Sequence, residues 1–261
     1  MGEDFVEALF AIVAQLVELR LPKPKVAGSS PVYRSIINLN LNANPNLTLV
    51  SRLMARVNVN VVVVFVFLVL AVLDFIPMSF PARMIFPLLW LTLCAFCQKQ
   101  WALAGALFFS FLGDVMGWRN ELIPQIGFFA IAQVLYIIIY SVLIPPKQTW
   151  SKPVKFILLA LIASVYGVAM FWIFPRVGES FIRYGIAVYA LLLLGMCFAA
   201  CRHKCAFLML GAVLFVVSDF ILGVHLFVER IPHAHLSIMI PYFLGQLLLY
   251  VGTLNSARGF R

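Results

Sequence analysis

Charge is what this sequence has least of. Asp, Glu, Lys and Arg make up 11% of its 261 residues, against about 25% in an ordinary soluble domain. Only ten residues are acidic. With 64% hydrophobic residues, a water-soluble globule of this size has no way to hide its apolar surface. The same two numbers exclude an intrinsically disordered chain. There are five cysteines and no dense cysteine framework, which excludes a small secreted disulfide scaffold. Collagen-like periodicity is absent. The apolar stretches contain no Walker loop, GxGxxG, HExxH or GxSxG signature.

What is present is apolar length. A bilayer span needs about 20 mostly apolar residues. Eight segments approach that: Val57–Ile76, Arg83–Cys97, Trp101–Trp118, Ile126–Leu143, Val154–Phe174, Tyr184–Cys201, Phe207–Phe227 and Ile238–Leu254. Backbone groups in lipid must be satisfied within the segment, so the expected fold is all-α, a polytopic helical bundle of eight transmembrane helices. Strands of a membrane barrel alternate in polarity and lack such runs. Trp101, Trp118, Trp150 and Trp172 fall near span ends, as in an interfacial aromatic belt.

The net charge of +9 follows topology. The N-terminal flank, alternate connections and C-terminal tail carry Arg52, Arg56, Lys99, Lys147, Lys152, Lys155, Arg202, Lys204, Arg258 and Arg261. The opposite face carries Arg83, Arg119, Arg176, Arg183 and Arg230, partly offset by Glu121, Glu179 and Glu229. Ten against five predicts a multi-pass protein of the cell (inner) membrane with both termini cytoplasmic. The expected partners are the bilayer and a lipid, not nucleic acid.

Residues 1–53 do not share this pattern. They hold charges, prolines and an asparagine-rich stretch, and Phe5–Leu19 is too short to span and lacks a basic leader. Ala14–Glu18 and Gly28–Pro31, fourteen codons apart, can be encoded by strings resembling the D-arm and T-arm of a transfer RNA gene. The segment is therefore expected to be a non-native extension, with the start at Met54 and the transmembrane domain over 54–261. The DNA upstream of codon 54 checks this directly: no transfer RNA homology there removes the reading.

An ionisable side chain inside a span costs roughly 2.5–3.5 kcal/mol on insertion scales and marks a functional candidate. Asp114 closes the string Gly105-Ala-Leu-Phe-Phe-Ser-Phe-Leu-Gly-Asp114, and Asp219 closes Gly211-Ala-Val-Leu-Phe-Val-Val-Ser-Asp219, 105 residues later. Each is followed by a span with a tyrosine and an amide: Gln133 and Tyr136, then Tyr242 and Gln246. The match suggests a 4+4 parallel internal repeat that brings both carboxylates to similar depth. Two adjacent carboxyls, one protonated and one ionised, can carry out acid/base hydrolysis without a metal or a nucleophile. Paired acids and short loops also suit a proton-coupled small-molecule transporter. No Pro/Gly break at matching mid-span positions supports that alternative.

Other features read as structural. Asp74, at the end of the first span, is expected at the interface. Cys94 and Cys97, and Cys197, Cys201 and Cys205 with His203 nearby, read as packing residues and reduced thiols. His233 and His235 are expected in a solvated loop, and His225 at the periphery. Gly113 and Gly117 form a GxxxG that suits helix packing. No metal and no cofactor are expected.

The strings Phe109-Ser-Phe-Leu-Gly-Asp114-Val-Met, Gly127-Phe-Phe-Ala-Ile-Ala-Gln133-Val-Leu-Tyr136, Gly211–Leu222 and Tyr242-Phe-Leu-Gly-Gln246 resemble those of the YhhN-like integral membrane proteins, the lysoplasmalogenases. The resemblance covers about residues 57–255. It implies hydrolysis of the vinyl ether of a lysoplasmalogen to a fatty aldehyde and a glycerophospho head group. Asp114 and Asp219 would be the catalytic pair. Gln133, Tyr136, Ser218, Tyr242 and Gln246 would bind substrate or fix the carboxylates. The family pattern usually has a histidine where this chain has Gln133, and glutamine hydrogen-bonds but carries no proton at neutral pH.

Overall fold

A computed structural model describes residues 59–76, 83–146 and 150–258. The 1–53 extension and the expected start at Met54 lie outside the described residues. Residues up to Val62 group with that N-terminal part, and Val63 onward forms the unit considered below.

The described residues form eight α-helices and no strand. They are α1 (Val59–Phe75), α2 (Phe86–Cys97), α3 (Trp101–Trp118), α4 (Leu122–Ile138), α5 (Lys152–Trp172), α6 (Ser180–Cys201), α7 (Ala206–Phe227) and α8 (Ala234–Arg258). A single 3₁₀ turn, Arg83–Ile85, leads into α2, and another, Phe174–Arg176, follows α5. The six helices from α3 onward are long and apolar enough to cross a membrane; α1 and α2 are shorter.

Proline and left-handed residues set the helix boundaries. Pro87 and Pro153 fall in the first turns of α2 and α5, where a missing N–H costs nothing. Lys99, Asn120, Lys204 and His233 have φ of 59°, 60°, 49° and 53°. Each sits in a tight turn joining successive helices: α2–α3, α3–α4, α6–α7 and α7–α8. The α4 helix ends in a π-helical turn, Ile139–Leu143. Its Tyr140 carbonyl can only accept, so the Nε2 of His203, 2.8 Å away, donates to it. Burial holds the His203 imidazole below its ordinary pKa, consistent with a neutral donor.

Packing is closest between α7 and α8, then between α3 and α4. The α7–α8 crossing is backbone on backbone. A Cβ on Gly211 would stand 2.9 Å from the Leu249 nitrogen, and one on Gly245 would stand 3.0 Å from the Gly211 oxygen. Gly113 and Gly117, the GxxxG pair, each admit an α4 side chain instead: Phe129 and Gln125. By contrast α5 buries none of its residues. In lipid, an apolar helix with no buried face loses nothing by that exposure.

One expectation changes. His235 is in the first turn of α8 rather than in a loop. Asp74, at the end of α1, is buried, 6% exposed. One interaction joins the two: His235 Nε2 lies 2.8 Å from Asp74 Oδ2, and a buried carboxylate needs such a partner. Phe75 packs edge-on against the His235 ring. Hydropathy placed the start of α8 at Ile238 because the residues before it are polar, but the helical backbone begins at Ala234.

Candidate active site

Asp114 lies in the last turns of α3 and Asp219 past the middle of α7. Both line one cavity of about 280 Å³. It sits at the end of the bundle where α3 and α7 finish and α4 and α8 begin, and Asn120, Gln125, Ser218, His235 and Tyr242 also contribute to its wall. The two aspartates thus border one space.

The carboxylates are held differently. The Tyr242 hydroxyl of α8 sits astride both oxygens of Asp114, at 2.8 and 2.9 Å. Asp114 is almost sealed, 3% exposed. Asp219 is only partly buried, and its Oδ2 accepts a hydrogen bond from the Tyr189 hydroxyl of α6. A phenol donating to a carboxylate is a charge-assisted bond, stronger than a neutral pair. Each carboxylate thereby has a fixed orientation and keeps further lone pairs for a proton or water.

Each tyrosine is backed by an amide. Gln133 stands beside the Tyr189 hydroxyl, and Gln246 beside that of Tyr242. Gln246 Oε1 also accepts from Tyr136 at 2.9 Å. Gln133 is fully buried, and neither of its polar atoms makes a hydrogen bond of ordinary geometry. Such a group is costly unless its surroundings supply a partner.

Of the residues expected to bind substrate, Ser218 and Tyr242 reach the cavity wall, whereas Gln133, Tyr136 and Gln246 lie behind it. Ser218 is already engaged: its Oγ donates to the Ile238 carbonyl at 2.9 Å. That carbonyl lies in the turn before Pro241, where a proline inside the helix removes a backbone donor. Among the described residues no three His, Cys, Asp or Glu side chains are grouped to hold a metal ion.

Sequence reasoning missed Tyr189, Gln125 and the Asp74–His235 pair. Tyr189 carries no motif and meets Asp219 only because α6 packs on α7. His235 had a signal. With α8 starting at Ala234, His235, Met239, Tyr242 and Gln246 fall on one stripe at i, i+4, i+7 and i+11. His235 is then about 10 Å up the helix from Tyr242, by a rise of about 1.5 Å per residue.

The chain is similar to lysoplasmalogenase TMEM86B of Homo sapiens, 30% identical over 156 residues, which cover 59% of this chain and 64% of that protein. The proteins of the same name from Sus scrofa and Rattus norvegicus are 26% and 28% identical over 159 residues, covering 60% of this chain and 65% and 63% of their own length. The chain therefore spans less than two thirds of the curated relatives it matches. No solved structure matches it. The profile of the YhhN family matches residues 78–253, a stretch that contains both aspartates, both tyrosines that hold them and the whole cavity wall. This helical membrane protein belongs to the YhhN family.

Proposed function

We propose that this chain is a membrane-embedded hydrolase that cleaves the vinyl ether of lysoplasmalogen-like lipids to a fatty aldehyde and a glycerophospho head group. The observation that carries the reading is the convergence of Asp114 and Asp219 on one cavity, each oriented by a tyrosine hydroxyl. The names of the curated relatives supply the substrate class.

The chemistry needs an acid and a base and nothing more. A protonated carboxyl delivers its proton to the β-carbon of the vinyl ether, and the C=C electron pair forms the new C–H bond. The resulting oxocarbenium ion is stabilised by the second, ionised carboxylate. Water adds to the cationic carbon and gives its proton to that carboxylate. The hemiacetal then collapses: the now-protonated second carboxyl gives its proton to the glycerol oxygen as the C–O bond breaks, the first carboxylate takes the hydroxyl proton as the C=O forms, and aldehyde and alcohol leave with both acids restored. Two carboxyls in a desolvated site favour a single negative charge between them, the state this sequence of steps requires. Gln133, Tyr136 and Gln246 act from behind the wall by fixing the tyrosines. Asn120, Gln125 and His235 meet the head group at the open end of the cavity.

All eight helices span the membrane in this reading, α1 and α2 crossing with short hydrophobic lengths. A 4+4 repeat is supported by a second coincidence of spacing. Lys99 and Lys204 are 105 residues apart, as are Asp114 and Asp219, and both lysines are left-handed residues in the turn before their aspartate's helix.

The experiment is aldehyde release by the purified protein from lysoplasmalogen, with an acyl lysolipid alongside. Asp114→Asn and Asp219→Asn should each abolish release while the protein still inserts and purifies. Wild-type turnover in either variant overturns the dyad. Substrate flux in proteoliposomes without chemical change would instead identify a transporter.

A further inference from the structure

A second apolar space lies away from the cavity described above. A groove of about 540 Å³ runs between α5, α6 and α7, within the roughly 300–1,000 Å³ of ordinary ligand pockets. Its walls are aliphatic and aromatic, including Leu161, Val213 and Val217. The hydroxyl in it, on Ser164, is already bonded to the Ala160 carbonyl at 2.8 Å. One bank is α5, the helix with no buried residue, so the groove faces the bilayer.

The groove does not end blindly. A smaller cavity of about 80 Å³ shares Val165, Leu194, Val216 and Phe220 with it and extends to Tyr189 and Asp219. Asp219 in turn lines the 280 Å³ cavity that holds Asp114. Polarity therefore changes in order along one course: a polar mouth at Asn120, Gln125 and His235, then the two carboxylates, then an apolar groove. A lysoplasmalogen has the same order: head group, vinyl ether, hydrocarbon chain.

We propose that the α5–α6–α7 groove is the subsite for the hydrocarbon chain of the single-chain lipid substrate, which enters sideways from the bilayer past α5 and reaches Asp219 beneath Tyr189. This rests on the lysoplasmalogenase reading of the aspartates. Val213 and Val217 line the groove but neither of the cavities that reach the carboxylates, so bulk there shortens the chain the groove accepts.

The test compares kcat/KM for a hexadecenyl and an octenyl lysoplasmalogen in wild type, Val213→Trp and Val217→Trp. The long-to-short ratio should fall roughly tenfold, because a long chain must overpack against the new indole whereas a short one does not reach it. In parallel, a lysolipid with a diazirine at the chain terminus is photo-crosslinked to wild-type protein in nanodiscs, and labelled peptides are mapped. Labelling should concentrate on α5, α6 and α7 and be competed by unlabelled lysolipid. An unchanged ratio in active variants overturns the subsite, as does labelling centred on α1–α4. Labelling of α5–α7 that lysolipid does not compete also overturns it, because ordinary bilayer lipid then fills the groove. If no variant and no wild-type preparation turns over a vinyl ether, the activity reading has failed; competed labelling of α5–α7 would still uphold the chain subsite.

Discussion

Tyr242 and Tyr189 hold two carboxylates from different helices, and the difference is visible in exposure. Asp114 is nearly sealed under Tyr242, whereas Asp219 is only partly buried and borders the apolar course beyond the cavity they share. A hydrogen bond to a charged group contributes about 1.5–3 kcal/mol, which corresponds to a rate loss of roughly 10- to 100-fold if it orients the reacting group. Tyr242→Phe and Tyr189→Phe should each lower kcat for aldehyde release within that range. A kcat equal to wild type in both would separate the tyrosines from the chemistry. Gln133 belongs to the same layer. This amide stands beside Tyr189, so any effect it has on Asp219 is exerted through the tyrosine.

Among the elements, α7 and α8 meet backbone on backbone at Gly211 and Gly245. Bulk at this crossing has nowhere to go, because the opposing atoms are backbone. Overpacking of this kind costs about 1–3 kcal/mol. Gly245→Ala should therefore lower the melting midpoint of the protein in detergent. Gly105→Ala, whose new Cβ would meet only the tip of Leu135 at 3.6 Å, should not. Equal effects would mean that the crossing is looser than its backbone contacts imply. The contrast also marks what the sequence could and could not disclose. Gly105 and Gly211 each open a Gly-Ala string that ends in an aspartate, nine and eight residues later, yet only Gly211 is pressed against a neighbouring backbone. Helix positions were legible because lipid demands long apolar runs, and the two aspartates were legible because charge is rare there. Tyr189, Asp74 and His235 were not, because their importance comes from partners 30 and 161 residues away.

For the whole molecule, the distribution of basic residues predicts that the end bearing Lys99, Arg202 and Lys204 is the cytoplasmic one. The cavity opens at the end bearing Asn120 and the start of α8, and Lys99, Arg202 and Lys204 lie at the other. Alkaline phosphatase fused after Asn120 should be active in a bacterial host, and fused after Lys204 inactive; the reverse pattern would place the cavity mouth in the cytoplasm. The order of synthesis adds a constraint of its own. Asp74 on α1 waits for His235, and Asp114 on α3 waits for Tyr242; both partners arrive on α8, synthesised 161 and 128 residues later. Until the ribosome has delivered that helix, the nascent protein carries two acids in or near lipid without the partners they have here.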